Sequence, residues 1–394
     1  MIAMKEFHIM TFLLLILFFA VSGRANPVTG YAWEGDGTQH VIYIGEGYHI
    51  YELMTSACSG QWQYNDLTTA ATGTQLSGSG PSGYAWETDG TQHVIFIGID
   101  NHVYELMTIL GSGSWGTADL TAMTGAPTAA AYPFSPSGYA WKSDGTQHVV
   151  YRGSDQHIYE LMSVLGSGNW GYKDLTSYTD APEADSQPFG YAWEKDNTQH
   201  IVYSGKGRIY ELITHKGSGD WGNNDLTTAT NAPPGYGPVG YAWEKDGSQH
   251  VVYKGTDKRI YELKTSLGSG NWVLTDLTKE ANAPPADSSP SGYAWEKDNT
   301  QHVVYKGIDQ HIYELMNPMG SSKWHLADLT AVTGAPLAAT GPVGYVWEAD
   351  GTQHIVYVGA YRHIYELVTK LGSGSWHLAD LTTATGAPAS LTAY

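Results

Sequence analysis

The sequence predicts an all-β protein, a seven-bladed β-propeller built from four-stranded antiparallel blades. The first observation is a repeated phrase, Gly-Tyr-Ala/Val-Trp, whose successive copies begin 53, 55, 52, 50, 52 and 52 residues apart. The second is that all 14 tryptophans belong to the repeat, seven in this phrase and seven after a Gly-rich turn. A period near 50 residues with Trp and Gly at constant places is typical of a propeller or a solenoid. The repeats begin at Gly30, Gly83, Gly138, Gly190, Gly240, Gly292 and Gly344.

Each repeat reads as four short strands separated by turn residues, with no helical periodicity. Strand one is GYAW, followed by Asp-Gly or Asp-Asn, which suit the positive φ of a tight hairpin turn. Strand two is QHVVY, a G-x-D-x segment turns the chain, and strand three is HIYEL or RIYEL. A GSG turn then leads to strand four, which runs from the second Trp to Asp-Leu-Thr. Each repeat therefore forms one antiparallel meander.

A meander has two faces that need cover, and stacking seven meanders in a closed ring covers both faces of every one. An open β-solenoid is the competing architecture, but it needs atypical caps and both end copies are ordinary. No strand is obviously shared between the first and last copies, so we expect the tail from Ala389 to Tyr394 to help close the ring.

The first 25 residues differ from the rest. Lys5 precedes an apolar run from Met10 to Val21 and small residues follow, the form of a secretory signal peptide. The run is shorter than the ~20 apolar residues of a membrane-spanning helix. The sequence thus predicts a signal peptide over residues 1–25, a propeller over 26–394, secretion, and no membrane insertion.

The charge and the cysteine content of the sequence exclude some kinds of binding partner and of covalent cross-link. Lys plus Arg number 20 against 39 Asp plus Glu, a formal charge of −19, which repels nucleic acids and anionic lipid surfaces. Cys58 is the single cysteine, so no intramolecular disulfide can form and stability must come from packing.

Two ionisable residues recur in every repeat, a His after Gln on strand two and a Glu between Tyr and Leu on strand three. They are 12 residues apart in six copies and 11 in the fourth, where the turn has lost a residue and we expect a distorted pair. We expect the two side chains to lie directly opposite each other on one face of the hairpin. One interpretation is that they hydrogen-bond and pin the hairpin. The other is a solvent-accessible pocket in which they and the second Trp bind a sugar, because C–H faces pack on indole while hydroxyls pair with polar groups. The candidate ligand-binding residues are His40, Glu52, Trp62, His93, Glu105, Trp115, His148, Glu160, Trp170, His200, Glu211, Trp221, His250, Glu262, Trp272, His302, Glu314, Trp324, His354, Glu366 and Trp376.

These motifs resemble the repeat of fungal fucose-binding propeller lectins of the Aleuria type, and similar bacterial seven-bladed lectins. That repeat has a strand ending in Trp, then Arg-Val-Tyr, Ile-x-Glu twelve residues after the Arg, and Gly-x-Trp. The third copy matches at Trp141, Val149–Tyr151, Ile158–Glu160 and Gly168–Trp170. The resemblance implies a propeller whose Glu and second Trp contact a sugar between blades. The fungal proteins have six blades, and here His replaces their Arg in every copy.

The His substitution leaves the sugar open, because Arg offers a rigid fork of donors whereas neutral imidazole offers one N–H. Since His titrates near ~6.5, we expect glycan binding to change between about pH 5 and 7.5.

The remaining recurrent residues suit structural roles. We expect the GYxW tryptophans to lie in the core between blades, and the Asp four residues after the second Trp to accept backbone hydrogen bonds. A zinc site needs more ligands than one His and one Glu, and calcium needs more clustered oxygens, so we expect no metal and no cofactor. The residue before the Ile of strand three is His49, His102, His157, His311 or His363 in five copies and Arg208 or Arg259 in two, which suits a solvated rim.

The sequence therefore predicts a secreted, non-enzymatic, multivalent carbohydrate-binding lectin, for fucose or a related monosaccharide on glycoconjugates. A propeller scaffold that binds protein is the alternative. An enzyme is the third class, and it is disfavoured because no copy carries a catalytic set that the others lack.

Overall fold

The computed structural model describes residues 26–57 and 59–391, and the predicted signal peptide lies outside these residues. The described chain forms seven four-stranded antiparallel sheets, each with its strands in sequence order and each built from one repeat. The predicted seven-bladed β-propeller is therefore confirmed.

Every blade has four strands and one short α-helix, and the first and seventh blades add a 3-10 helix, Glu46–Tyr48 and Ala360–Arg362, between their second and third strands. The first three blades consist of β1 (Val28–Trp33), β2 (Thr38–Ile44), β3 (Ile50–Ser56), β4 (Gln63–Asp66) and α1 (Leu67–Ala70); β5 (Ser82–Trp86), β6 (Thr91–Ile97), β7 (Val103–Ile109), β8 (Trp115–Asp119) and α2 (Leu120–Thr124); β9 (Ser137–Trp141), β10 (Thr146–Arg152), β11 (Ile158–Val164), β12 (Trp170–Asp174) and α3 (Leu175–Thr179). The fourth and fifth consist of β13 (Phe189–Trp193), β14 (Thr198–Gly205), β15 (Arg208–His215), β16 (Trp221–Asp225) and α4 (Leu226–Thr230); β17 (Gly235–Trp243), β18 (Ser248–Gly255), β19 (Ile260–Ser266), β20 (Val273–Asp276) and α5 (Leu277–Glu280). The last two consist of β21 (Ser291–Trp295), β22 (Thr300–Lys306), β23 (Ile312–Pro318), β24 (His325–Asp328) and α6 (Leu329–Thr333); β25 (Val343–Trp347), β26 (Thr352–Val358), β27 (Ile364–Lys370), β28 (Trp376–Asp380) and α7 (Leu381–Thr385).

The first strands of adjacent blades contact one another all the way round, so they surround the axis. The glycine of each GYxW phrase makes this approach possible. A Cβ on Gly138 would lie 2.7 Å from a ring carbon of Tyr84 in the preceding blade, and the other six phrase glycines pack on the equivalent Tyr. Seven apolar clusters, one between each pair of neighbouring blades, make up the core.

The ring closes by packing and not by a shared strand. Leu391 N–H donates to the carbonyl of Ile44 at 2.9 Å, and Ser390 forms an isolated bridge with Gly45. Segments between other blades form the same bridge, such as Ala129 with Gly153. The end of the described tail thus joins the first blade as an ordinary inter-blade connection would.

The short helices are the one element type that the strand pattern does not predict, because four or five residues are too few to show a helical period. Each begins after the recurrent Asp at the end of strand four. Asp174 Oδ1 accepts from Ser177 N–H at 2.9 Å, and the same cap recurs in all seven blades. The predicted role of this Asp as a backbone acceptor agrees with the structure.

Candidate functional site

The recurrent His and Glu meet in every blade. The distance from His Nδ1 to Glu Oε1 is 2.8 Å in six blades and 2.9 Å in the fourth. The pair is diagonal rather than directly opposite, because His148 faces Met162 and Glu160 faces Val150 across the hairpin. In the fourth blade the two strands keep this offset around a shorter turn, so the expected distortion is absent there.

Aromatic and hydroxyl groups of the same blade enclose the imidazole. The Tyr of the GYxW phrase stacks on it with ring centroids 4.9–5.3 Å apart, and in six blades the Trp of the phrase lies at 6.2–6.4 Å. A Thr, or Ser248 in the fifth blade, lies with its Oγ 2.7 Å from Nε2. The phrase tryptophans are 1–3% exposed, in agreement with their predicted place in the core.

The Gln that precedes the His in the next blade covers the pair. Gln199 Nε2 donates to Glu160 Oε1 at 2.6 Å and to the hydroxyl of Tyr139 at 2.6 Å, and five of the seven interfaces have this bond to Glu. At the other two, the Gln amide oxygen accepts from the Tyr hydroxyl, as Gln147 does from Tyr84 at 3.0 Å. Sequence reasoning missed this role, although Gln precedes His in all seven copies.

Burial separates the two interpretations of the pair. The seven His are 0–3% exposed and the seven Glu 1–6%, beneath the following blade. The imidazole and the carboxylate therefore do not line the solvent-accessible pocket that we expected. Their hydrogen bonds join the two strands of each hairpin and connect the hairpin to the next blade. A role for these residues in ligand binding stays a prediction.

The second tryptophan lies elsewhere in the blade. It faces the preceding blade, as Trp115 does where it packs on the cluster that contains Ile42 and Ile50, whereas His and Glu face the following blade. The three groups of one repeat thus do not meet, and each interface between blades contains the Glu of one blade and the second Trp of the next. This Trp is partly exposed in six blades, and Trp324 is 5% exposed.

The buried Glu211 of the fourth blade has a lowered pKa. Burial alone would raise the pKa of this carboxyl, but hydrogen bonds from His200, Asn224 and Gln249 outweigh it and hold the pKa below its ordinary value of 4.5. Asn224 Nδ2 donates to Glu211 Oε2 at 2.9 Å. The fourth blade therefore keeps its carboxylate ionised within the interface.

The predicted rim residues form a second series of pairs. His157 Nδ1 lies 2.9 Å from Asp174 Oδ2, with side chains 27% exposed, and the other four rim histidines bind the helix-capping Asp of their blade in the same way. Arg208 and Arg259 donate to their capping Asp through Nη1. His and Arg thus make the same contact with the capping Asp at this position.

The ring also encloses an axial cavity of about 500 Å³, lined by residues of the first strands such as Ser82, Ser137 and Phe189. Among the described residues, no group of three or more His, Cys, Asp or Glu could hold a metal ion. None of the helices in this part of the chain has both the length and the apolar character needed to cross a membrane.

Seven like modules in a closed ring, with a tryptophan at each interface between neighbours, define a seven-bladed propeller. No family model matches the sequence, and no curated protein does. Solved structures do match. The chain is similar to the BP39L lectin of Burkholderia pseudomallei, with a TM-score of 0.69 and 11% identity over 90% of this chain and 98% of that one.

Fungal structures match less extensively. A mutant of AofleA from Arthrobotrys oligospora has a TM-score of 0.51 and 15% identity, over 76% of this chain and 86% of that one. The lectin of Aleuria aurantia, described as fucose-specific, has a TM-score of 0.50 and 14% identity, over 76% and 93%. The resemblance to propeller lectins drawn from the repeat is thus confirmed for the fold.

Proposed function

We propose that the protein is a secreted, multivalent carbohydrate-binding lectin that recognises glycoconjugates without catalysis, and that its sites are the grooves between blades. The observation that carries this proposal is the position of the second Trp, which is partly exposed at six of seven blade interfaces, at the first residue of the outer strand or directly before it. An accessible indole offers an apolar face to the C–H groups of a sugar ring. The likeness in fold to lectins supports the proposal.

The arrangement suits weak sites used together. A monosaccharide contacts little surface, so one groove gives modest affinity, but several grooves on one rigid ring raise avidity by about 10² to 10⁴ on a dense glycan surface. Fucose or a related monosaccharide is the ligand that the repeat suggests.

A glycan array probed with residues 26–394 tests the proposal. We expect binding to a defined set of glycans, and a large loss of array signal when Trp115 and Trp170 are both changed to Ala. Tyr361→Ala is the matched control, because Tyr361 is 86% exposed but lies in the 3-10 helix Ala360–Arg362 and not at an outer strand. Silence of the folded wild-type protein on the array would overturn the proposal and favour the scaffold that binds protein.

Binding measured from pH 5 to 7.5 separates the contributions to the groove. A change across this range is the result that we expect if the buried imidazoles contribute to binding. Constant binding would assign recognition to the tryptophan side of the groove.

A further inference from the structure

One ring of carboxylates, at the residue that follows each first strand, is incomplete. The residue after the phrase Trp is Glu in six blades and Lys142 in the third. In the six, the carboxylate accepts hydrogen bonds from backbone N–H groups just after the phrase Trp of the preceding blade. Glu87 accepts from the N–H groups of Glu34 and Gly35, both at 2.8 Å.

The same contact recurs around the ring with little variation. Glu194, Glu244, Glu348 and Glu34 each accept from two consecutive N–H groups at 2.8–3.3 Å, and Glu296 accepts from Lys245 N–H with both oxygens, at 3.3 and 3.1 Å. The fold thus builds a receptor for one carboxylate at these six places, from main-chain donors alone.

The seventh place belongs to the N–H groups of Glu87 and Thr88. In the neighbouring blade the equivalent position is occupied by Lys142, an exposed residue whose ammonium donates and cannot accept. No acceptor for these two N–H groups is found among the described residues. The turn that carries these two N–H groups is nevertheless built as in the first blade, because Gly90 N–H donates to the carbonyl of Trp86 at 2.9 Å, as Gly37 N–H does to that of Trp33.

We propose that the N–H groups of Glu87 and Thr88, together with Lys142, form a binding site for an external carboxylate. The ligand takes the position that a Glu side chain occupies in the other six blades, with one oxygen on each N–H and the ammonium balancing its charge. A free small acid, an acidic sugar and the carboxyl terminus of a peptide share this chemistry. The site is on the axis side of the blades, and it does not depend on sugar binding in the grooves.

Amide NMR of ¹⁵N-labelled protein at low ionic strength, where screening is weak, tests the site. The probes are acetate, glucuronate, a short peptide with a free carboxyl terminus, and the methyl ester of glucuronate as the neutral control. We expect saturable shifts of the Glu87 and Thr88 amides with the acids and none with the ester, while the amides of Glu34 and Gly35 stay in place. The acid that saturates at the lowest concentration identifies the source of the carboxylate.

Lys142→Glu completes the ring of carboxylates, so we expect it to abolish these shifts and to raise the melting temperature. Lys323→Glu makes the same charge change at an exposed lysine of the sixth blade and should leave the shifts intact. Absence of any saturable shift in the wild type, equal shifts with the ester, or shifts that survive Lys142→Glu would each overturn the proposal. Loss of the shifts in Lys323→Glu would also overturn it, because net charge would then be the cause.

Discussion

The buried His–Glu pairs and the rim pairs at the helix caps use similar groups at similar distances. Only the rim pairs differ in residue type between repeats. The buried histidine is present in all seven repeats, whereas two rim positions have Arg. The buried imidazole has a neighbour on every side, namely a stacked Tyr, a hydroxyl, a carboxylate and the next blade. The rim needs a basic side chain that reaches one Asp, and the Asp side chains there are 18–27% exposed. Shape therefore selects the residue inside the interface, and charge selects it at the rim.

The largest expected effect comes from comparing two single substitutions in the third blade, His148→Arg in the buried pair and His157→Arg at the rim. His148→Arg adds volume and unpaired donors to a packed interface, and should lower the free energy of unfolding by at least about 3 kcal/mol. His157→Arg repeats what the fourth and fifth blades already have, and should change it by no more than about 0.5 kcal/mol. Denaturant unfolding of the two variants measures the difference. Equal losses would show that the two regions do not differ as argued.

A smaller effect, with a pH signature, is expected at Glu211. Glu211→Gln removes the charge that His200 pairs with, and should cost about 1–3 kcal/mol of unfolding free energy at pH 7. Because the folded pKa is depressed below 4.5, the stabilisation is present above pH 4.5 and is lost as the pH falls through the folded pKa. The difference between wild type and variant should therefore shrink in acid.

Unfolding free energies measured from pH 7 down to pH 3 follow this difference. Glu280→Gln, at an exposed helix end, is the control and should show little effect. A difference that stays constant into acid would contradict an ionised Glu211 in the folded interface.

The sequence was sufficient for the fold because the relevant signals are local and repeated. Asp-Gly turns, short Tyr/Val/Ile strands and two tryptophans per period specify one blade, and seven ordinary copies imply closure. The contact between His and Glu was also within reach, since both lie on one hairpin. Their diagonal offset was not, because it depends on how the strands pair around the turn.

The burial of the pair could not be predicted because it is caused by the neighbouring repeat. Gln199 is 39 residues from Glu160, and nothing local shows that the two meet. For the same reason the opposite directions of the His–Glu pair and the second Trp were missed, since one repeat does not reveal which of its faces lies against which neighbour. The incomplete ring of carboxylates was visible as Lys142 among six Glu, but its meaning required the backbone contacts.

The smallest expected effect is a pH dependence of stability at the rim pairs. The hydrogen bond to Asp174 raises the pKa of His157 above its ordinary 6.5, against an opposing effect of burial. A raised pKa means that this pair stabilises fully below pH 6.5 and that its contribution is lost as the pH rises through the folded pKa. His157→Arg stays charged, so its melting temperature relative to wild type should be constant below pH 6.5 and should rise above it, by an amount equivalent to less than about 1 kcal/mol. Arg208→His should introduce the same pH dependence into the fourth blade. If the melting temperatures of both variants instead followed that of the wild type in parallel from pH 6 to 9, charge would not be the property that selects the rim residue.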